Sequence, residues 1–269
     1  MDAIRRIPAD RWQGSARRSA PDTIVVEEPM EVRLGGSPVA VTMRTPGHDF
    51  ELAAGFLFTE GILSGPEQIG SIAYCSDRRQ PERNIVDVLP AEGAKLPEQG
   101  WQRSFPATSS CGLCGKSSIE AVRRVAGPLD DPATFLAEAI QDLPERLRAD
   151  QTLFAETGAL HAAALCSPDG SPVLLREDIG RHNAVDKVIG SLFLAGKLPL
   201  RGQILFVSGR ASFEIVQKAL MARIPAVAAV SGVSSLAAEL AADSGMALIG
   251  FLRGRSMQVY AGGDRIRES

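Results

Sequence analysis

Residues 204–230 read ILFVSGRASFEIVQKALMARIPAVAAV, and the fold class follows from them. Ile204 to Val207 is an apolar run of strand length, residues 212–223 carry apolar positions at helical spacing, and residues 227–230 return to a short apolar strand. Outward from this unit the pattern repeats. Residues 181–195 read as a helix before it, and residues 235–242 as a helix after it, followed by a strand at 247–252. Strands alternating with helices in this way predict an α/β core: a largely parallel sheet with helices packed on it.

Composition sets the outer limits. With 269 residues, 45% of them apolar and 23% charged, the chain is large enough for a main domain with a smaller appendage. The net charge of −3 gives no electrostatic reason to expect nucleic acid or a membrane surface as partner, so any anion site must be local. No stretch approaches the roughly 20 apolar residues of a membrane span. The first twenty residues hold Arg5, Arg6, Arg11, Arg17 and Arg18 but no apolar run, which reads as a flexible start rather than a secretory signal. A cytoplasmic location is expected. The four cysteines, two scattered (Cys75, Cys166) and two clustered, do not form a disulfide framework, and a reducing compartment keeps thiols available for chemistry.

Three units are expected: a flexible terminus at 1–20, a smaller β-rich part with one helix at 21–105, and the α/β core at 106–269. In the middle unit, β-branched residues recur from Thr23 to Thr42 around Gly35-Gly36-Ser37-Pro38, the pattern of strands joined by a tight hairpin. Pro46-Gly47 ends that pattern. A helix starts near Asp49 and stops before Gly61, with Phe50, Ala53, Ala54 and Leu57 on one side. Residues 69–75 and 85–89 read as two more strands with a polar turn between them, and residues 90–106 as a loop. Farther on, residues 134–148 read as an amphipathic helix that Pro144 bends or interrupts, and Asp169-Gly170 as the turn of a hairpin.

The chemistry centres on Ser110-Cys111-Gly112-Leu113-Cys114-Gly115. Two thiols in C-x-x-C spacing can chelate a metal, cycle between dithiol and disulfide, or carry a persulfide. Ile119, Val122 and Val125 follow at helical spacing, so the thiols fall at or before a helix N-terminus, which together with Lys116 favours thiolate. A zinc site needs a second ligand pair, and the sequence offers only the isolated His48, His161 and His182. A thioredoxin-like motif normally follows the first strand of a small βαβ domain, whereas this one comes after four candidate strands.

Three polar clusters lie downstream. Arg176 to Lys187 crowds ionisable residues around Gly180 where a strand gives way to a helix; its N–H groups and Arg181 suit an anion, while a solvated helix start capped by Glu177 and Asp178 explains it equally well. The loop from Ser208 through Gly209 and Arg210 to Ser212 ends a strand where open α/β sheets bind ligands. Phe251, Leu252, Arg253, Gly254, Arg255 and Ser256 close the last core strand with two guanidinium groups suited to phosphates and an aromatic able to stack on a base, although a strand phenylalanine is more often core. His161, entering an apolar run, reads as a hydrogen-bonded core histidine.

Taken together, Arg44-Thr-Pro-Gly-His-Asp49 with Glu60-Gly-Ile62, Ser110 to Gly115, Thr157-Gly158 with His161 to Ala164, Arg176 through Gly190, Ser208-Gly-Arg210 with Ser212 to Lys218, and Ile249-Gly-Phe251 with Arg253 resemble the formate dehydrogenase accessory sulfurtransferase family, of the FdhD type. The resemblance runs from about residue 23 to residue 260. At Gly232-Val233 the chain departs from the family pattern, which has Ala-Pro before the paired serines. The resemblance implies a three-layer, cytidine-deaminase-like α/β/α core with a mixed sheet, a smaller β-rich N-terminal part, and a homodimer. It also implies transfer of persulfide sulfur from a cysteine desulfurase to the molybdenum bis(molybdopterin guanine dinucleotide) cofactor of formate dehydrogenase. On this basis Cys111 is the persulfide carrier, Cys114 its neighbour, and the segment from Phe251 to Ser256 a cofactor contact, with Ser208 and Arg181 as further contributors. No resident metal is implied: Ser110 stands where deaminase zinc sites have proline, and the upstream His/Cys-x-Glu triplet is missing. A dithiol oxidoreductase and a cofactor chaperone that leaves sulfur untouched are the alternatives.

Overall fold

The computed structural model describes residues 2–75, 83–96 and 127–268. The expected turn at 77–84 and loop at 90–106 lie partly outside these residues. The double-cysteine stretch and the helix expected after it lie outside them entirely.

The chain begins with β1 (Ile4–Gln13) and β2 (Ala16–Val25), an antiparallel hairpin that pairs with no other strand among the described residues. The first twenty residues, expected as a flexible start, thus lie in a regular hairpin. The run lacks the apolar content of a core strand, but Gly14, at φ +59°, supplies the left-handed turn, and cross-strand pairing over ten positions a side does the rest. Next come β3 (Glu28–Leu34) and β4 (Ser37–Arg44), joined through Gly35 and Gly36, both at positive φ. With β5 (Ile69–Tyr74) and β6 (Ile85–Pro90) they form a four-stranded sheet in the order β4-β3-β6-β5, in which β3 and β6 run parallel.

Helix α1 (Asp49–Thr59) lies between this sheet and the core. Asp49 and Glu51 in its first turn favour the positive end of the helix dipole. Leu52, Ala53, Ala54 and Leu57 are fully buried; neighbouring positions at this spacing leave no polar face, as expected of a helix covered on two sides.

The core segment starts with β7 (Phe135–Leu136), α2 (Ala137–Gln141) and α3 (Leu143–Arg146). The single helix expected over 134–148 is therefore broken: the first helix ends at Asp142, and Pro144 sits in the first turn of the next, where its missing N–H costs nothing. Then follow α4 (Thr152–Thr157), β8 (His161–Cys166), β9 (Pro172–Asp178), α5 (Arg181–Leu194), β10 (Ile204–Val207), α6 (Phe213–Met221), β11 (Ala226–Ala229), α7 (Ser235–Ser244), β12 (Ala247–Arg253), β13 (Ser256–Ala261) and β14 (Ile266–Arg267). Six of these strands form one sheet, ordered β13-β12-β11-β10-β8-β9. Parallel pairing holds between β10, β11 and β12; the flanks pair antiparallel, so the sheet is mixed. The strand β13 has no counterpart in the sequence reading, because Ser256 to Ala261 lacks a continuous apolar signal and is recruited as an edge by β12.

Side chains alternate across this sheet with period two. Ala163, Leu165, Leu205, Val207, Val227, Ala229 and Leu248 face α5, α6 and α7, and through α1 join Met30, Val32, Val86 and Val88 of the four-stranded sheet in one apolar cluster. On the opposite face Ala164, Cys166, Ile204, Phe206, Ala226 and Ile249 pack under Phe135, Ile140, Leu143 and Leu147. The smaller β-rich part thus shares its core with the α/β part.

The two parts meet where α1 crosses α5. A Cβ on Gly55 would lie 1.9 Å from the Asp186 carbonyl oxygen, and one on Gly190 would lie 1.9 Å from the Glu51 carbonyl oxygen. Each helix needs a glycine facing the other for the backbones to approach so closely. Gly190→Ala is expected to lower stability by about 3 kcal/mol through overpacking, read as a shifted urea midpoint; an unchanged midpoint would show that the crossing has room to spare.

Candidate functional site

The register of the six-stranded sheet brings the polar clusters to one end. His161 pairs opposite Asp178, and Ala163 opposite Val207, so the start of β8 lies beside the ends of β9 and β10. The parallel strands β11 and β12 end on the same side. Backbone hydrogen bonds lace the loops together there: Ser231 N–H donates to Gly209 O (3.2 Å), Ala211 N–H to Gly232 O (3.1 Å), and Phe251 N–H to Ser231 O (3.0 Å). This edge, where β10 has a parallel neighbour on one side and an antiparallel one on the other, is where open sheets leave a crevice for ligands.

Arg181 opens α5, half-buried, and its Nε is buried without a hydrogen-bond partner among the described residues. A buried N–H left unpaired costs about 1–3 kcal/mol. Gly209 lets the Ser208–Ser212 loop pass close to it: a Cβ there would be 3.3 Å from His161 Nδ1 and 3.8 Å from Arg181 Cβ. Ser208 Oγ accepts from Ala162 N–H at 2.9 Å, tying the loop to β8. Ser212 is the N-cap of α6, yet its hydroxyl makes no cap and lies 3.3 Å from His182 Nε2.

Burial, together with Arg181 and Arg210, pushes the His161 imidazole below its usual range. Burial, with Arg181 and Lys218 adding to it, lowers His182 to about 4. Both rings are therefore neutral at pH 7, in a setting whose charges favour an anion.

Phe251 stands at the far side of this end. Its φ of +51° is in the left-handed region, where a bulky residue is strained. The ring lies over Gly232, whose Cβ would be 3.3 Å from Phe251 Cζ, and 42% of the residue is exposed. A side chain at Gly232 would have to displace the ring. Arg253 is exposed, with Nε 3.4 Å from Val230 O, and Gly254 (φ +54°), Arg255 and Ser256 form the exposed hairpin into β13. Leu252 differs from its neighbours: it is fully buried in the apolar cluster under Phe135, so its side chain offers a ligand no surface. Strand alternation sends it inward.

Similarity to known proteins is extensive. The model of the FdhD/NarQ family matches residues 25–267. A relative from Streptomyces coelicolor named sulfur carrier protein FdhD is 53% identical over 262 residues, covering 95% of this chain and 93% of its own. One of the same name from Mycolicibacterium paratuberculosis is 54% identical over 251 residues, covering 91% and 92%. The chain belongs to the FdhD/NarQ family. Its fold matches that of a crystal structure described as a candidate formate dehydrogenase accessory protein from Desulfotalea psychrophila, with a TM-score of 0.79, 23% identity, and coverage of 99% of this chain and 100% of that one.

In this FdhD/NarQ chain the structure brings Arg181, Ser208, Phe251, Arg253, Gly254, Arg255 and Ser256 to one end of the sheet, while Cys111 and Cys114 lie outside the described residues. The other two thiols are poor candidates for sulfur chemistry. Cys166 is buried in the core, which pushes it up to about 12, and Cys75 is half-buried at the end of β5. His161, His182 and Arg210 complete the cluster. The sequence signal for His161 was its place two residues after Thr157-Gly158-Ala159, but nothing short of the register puts a core-like histidine beside two arginines.

The stretch from Arg176 to Lys187 divides. Only Arg181 and His182 turn toward the ligand end. Asp178 is fully buried and accepts from Lys187 Nζ (2.7 Å) and Thr45 N–H (3.2 Å), while Lys187 also donates to Thr45 O (3.0 Å). Glu177 accepts from Leu153 and Phe154 N–H at the start of α4, capping that helix rather than its own. Thus the solvated helix start weighed from the sequence is replaced by a buried ionic seam against the smaller part. Arg176 completes it, donating to both Glu51 oxygens at 2.6 and 2.9 Å.

Burial alone would raise the Glu51 carboxyl, but Arg176 and His48 outweigh it and hold it down at about 2. A carboxylate depressed in the folded state contributes stability that is present above its unfolded value near 4.5 and lost as pH falls toward 2. Arg176→Gln is therefore expected to flatten the loss of thermal stability between pH 4.5 and 2, measured by scanning calorimetry. The same slope in the variant would show that this pair does not set acid stability.

Proposed function

We propose that this protein is a sulfurtransferase that carries sulfur on Cys111. In this reading the Cys111 thiolate attacks the terminal sulfur of a cysteine desulfurase persulfide. The bond to the desulfurase cysteine breaks, that cysteine leaves as thiolate, and Cys111 holds the persulfide. The Cys111 S–S bond then breaks, Cys111 leaves as thiolate, and the sulfur atom passes to the molybdenum bis(molybdopterin guanine dinucleotide) cofactor, bound as substrate, whose reduced molybdenum supplies the electron pair that makes it sulfide, for use by formate dehydrogenase. The observation that carries this is the identity of more than half of the chain to proteins named sulfur carriers, in a sequence whose other two cysteines are a buried core thiol and a strand-end residue.

The site's chemistry supports a phosphate-bearing acceptor. Arginines and N–H groups converge at a sheet end with two neutral imidazoles, and an exposed aromatic ring lies over a glycine. Arg253 and Arg255 hold phosphates, Phe251 stacks on the guanine, and Ser208 and Arg181 extend the contact. Leu252 supports the segment from below, through the core. Cys114 relays or protects the Cys111 sulfur. The protein works as a cytoplasmic homodimer with a cytidine-deaminase-like, three-layer core, and it binds neither nucleic acid nor membrane; no helix among the described residues is long and apolar enough to cross one.

Two measurements test this. Mass spectrometry after incubation with a cysteine desulfurase and cysteine is expected to find one added sulfur on Cys111. In cells lacking the protein, Cys111→Ala is expected to restore less than about a tenth of formate dehydrogenase activity, as for loss of a nucleophile. Full restoration by that variant would leave a cofactor chaperone. Disulfide reduction that needs both thiols, without affinity for guanine nucleotides, would leave a dithiol oxidoreductase.

A further inference from the structure

We infer that Arg181, Arg210 and His161 form a phosphoryl-binding subsite in which His161 takes up a proton from water as the anion enters. This rests on the reading above, that the sheet end holds a nucleotide-bearing cofactor, and assigns its diphosphate a place and a proton.

Three independent features of the cluster point to an anion. Arg181 Nε is buried with no partner among the described residues, and a buried guanidinium N–H is satisfied by an oxyanion. Gly209 brings one loop against both side chains: a Cβ there would lie 3.3 Å from His161 Nδ1 and 3.8 Å from Arg181 Cβ, so the imidazole and Arg181 flank the same stretch of backbone. The Ser212 hydroxyl is turned to His182, so the first N–H groups of the nine-residue helix α6 have no side-chain cap.

The charges around His161 explain the proton. It faces Arg181 from α5, Arg210 from the loop after β10, and Asp178 from β9. Both arginines repel a proton. Asp178 pulls the other way, more strongly than Arg210 repels, although its oxygens are also held by Lys187, Thr45 N–H, Gly180 N–H and Asn183; burial and Arg181 keep the ring neutral. A phosphoryl group between the guanidinium groups reverses the local potential and makes the imidazolium a third donor. His182 faces Arg181, Lys218, Glu214 and His161; burial, Arg181 and Lys218 keep it neutral, with Nε2 3.3 Å from the Ser212 hydroxyl.

Titration calorimetry of the full chain with GDP, inorganic pyrophosphate and guanosine tests the subsite. GDP and pyrophosphate are expected to bind several-fold more tightly at pH 6 than at pH 8, since the anion favours the imidazolium that forms at the lower pH. Proton uptake should appear as a binding heat that changes with the ionisation enthalpy of the buffer. Guanosine should show neither effect. His161→Gln is expected to keep the pH 8 affinity and lose the pH dependence, and Arg181→Gln to weaken pyrophosphate and GDP more than tenfold, with partial rescue by Arg181→Lys. Arg210→Gln, on an exposed side chain, repeats the affinity test without risk to the fold. Pyrophosphate affinity unchanged in both arginine variants, or an undiminished pH dependence in His161→Gln, overturns the inference. If Arg253→Ala alone abolishes GDP binding, the cofactor reading stands and the subsite falls. If pyrophosphate binds through Arg181 while Cys111 never gains sulfur, the subsite stands and the sulfur-carrier reading falls.

Discussion

At the crossing of Asp49–Thr59 and Arg181–Leu194 the backbones approach until a single added carbon would overlap a carbonyl oxygen. Because Gly55 and Gly190 permit that approach, the polar residues around them have no room for water and must satisfy one another. Arg44 binds Asp49, Glu28 and Asn84. Lys187 binds Asp178, while Lys218 binds Asp186, which also accepts from Thr59. Burial alone would strip the Lys218 proton, but Asp186 and Glu60 outweigh it and keep the ammonium charged. Removing one member of such a pair strands its partner, typically at a cost of about 3–5 kcal/mol. The contacts that cross between the two parts, Arg176 with Glu51, Asp178 and Lys187 with Thr45, and Asp186 with Thr59, hold the β-rich part on the α/β part.

That docking also shapes the ligand end. The helix that carries the seam on one side presents Arg181 and His182 at its first turn, so their positions are set by contacts made farther along the same helix. One network of charges is dry and self-neutralised. The other, at the sheet end, is left with an unpaired guanidinium N–H, two imidazoles held neutral, and a strained phenylalanine that keeps its ring over Gly232. Strain and unsatisfied polar groups cost stability, and they persist where the surrounding structure enforces them.

Much of this was legible in sequence. The alternation of strand and helix from residue 181 onward, the glycine hairpin after Leu34, and the helix at Asp49 all depend on local periodicity and turn chemistry, and the structure has each within two or three residues. Less was legible where pairing is non-local. The strand β13 exists because β12 recruits it. The hairpin of residues 4–25 is held by its own cross-strand pairs despite a composition that reads as unstructured. The polar run from Arg176 to Lys187 looked like one surface feature, yet it divides between a buried seam and an exposed site, because successive residues at the end of a strand and the start of a helix point in different directions.

The sequence by itself determined the class of fold, the glycine and arginine loops at strand ends, and the double-cysteine stretch with its family resemblance, since all of these are carried by residue type and spacing. Tertiary structure alone decided which arginine is left without a partner, which histidines lie beside it, and that Leu252 belongs to the core while its neighbours face outward. Those outcomes depend on register and on the distance between helices, and a change of one methyl group at Gly55 or Gly190 would alter that distance without changing any motif.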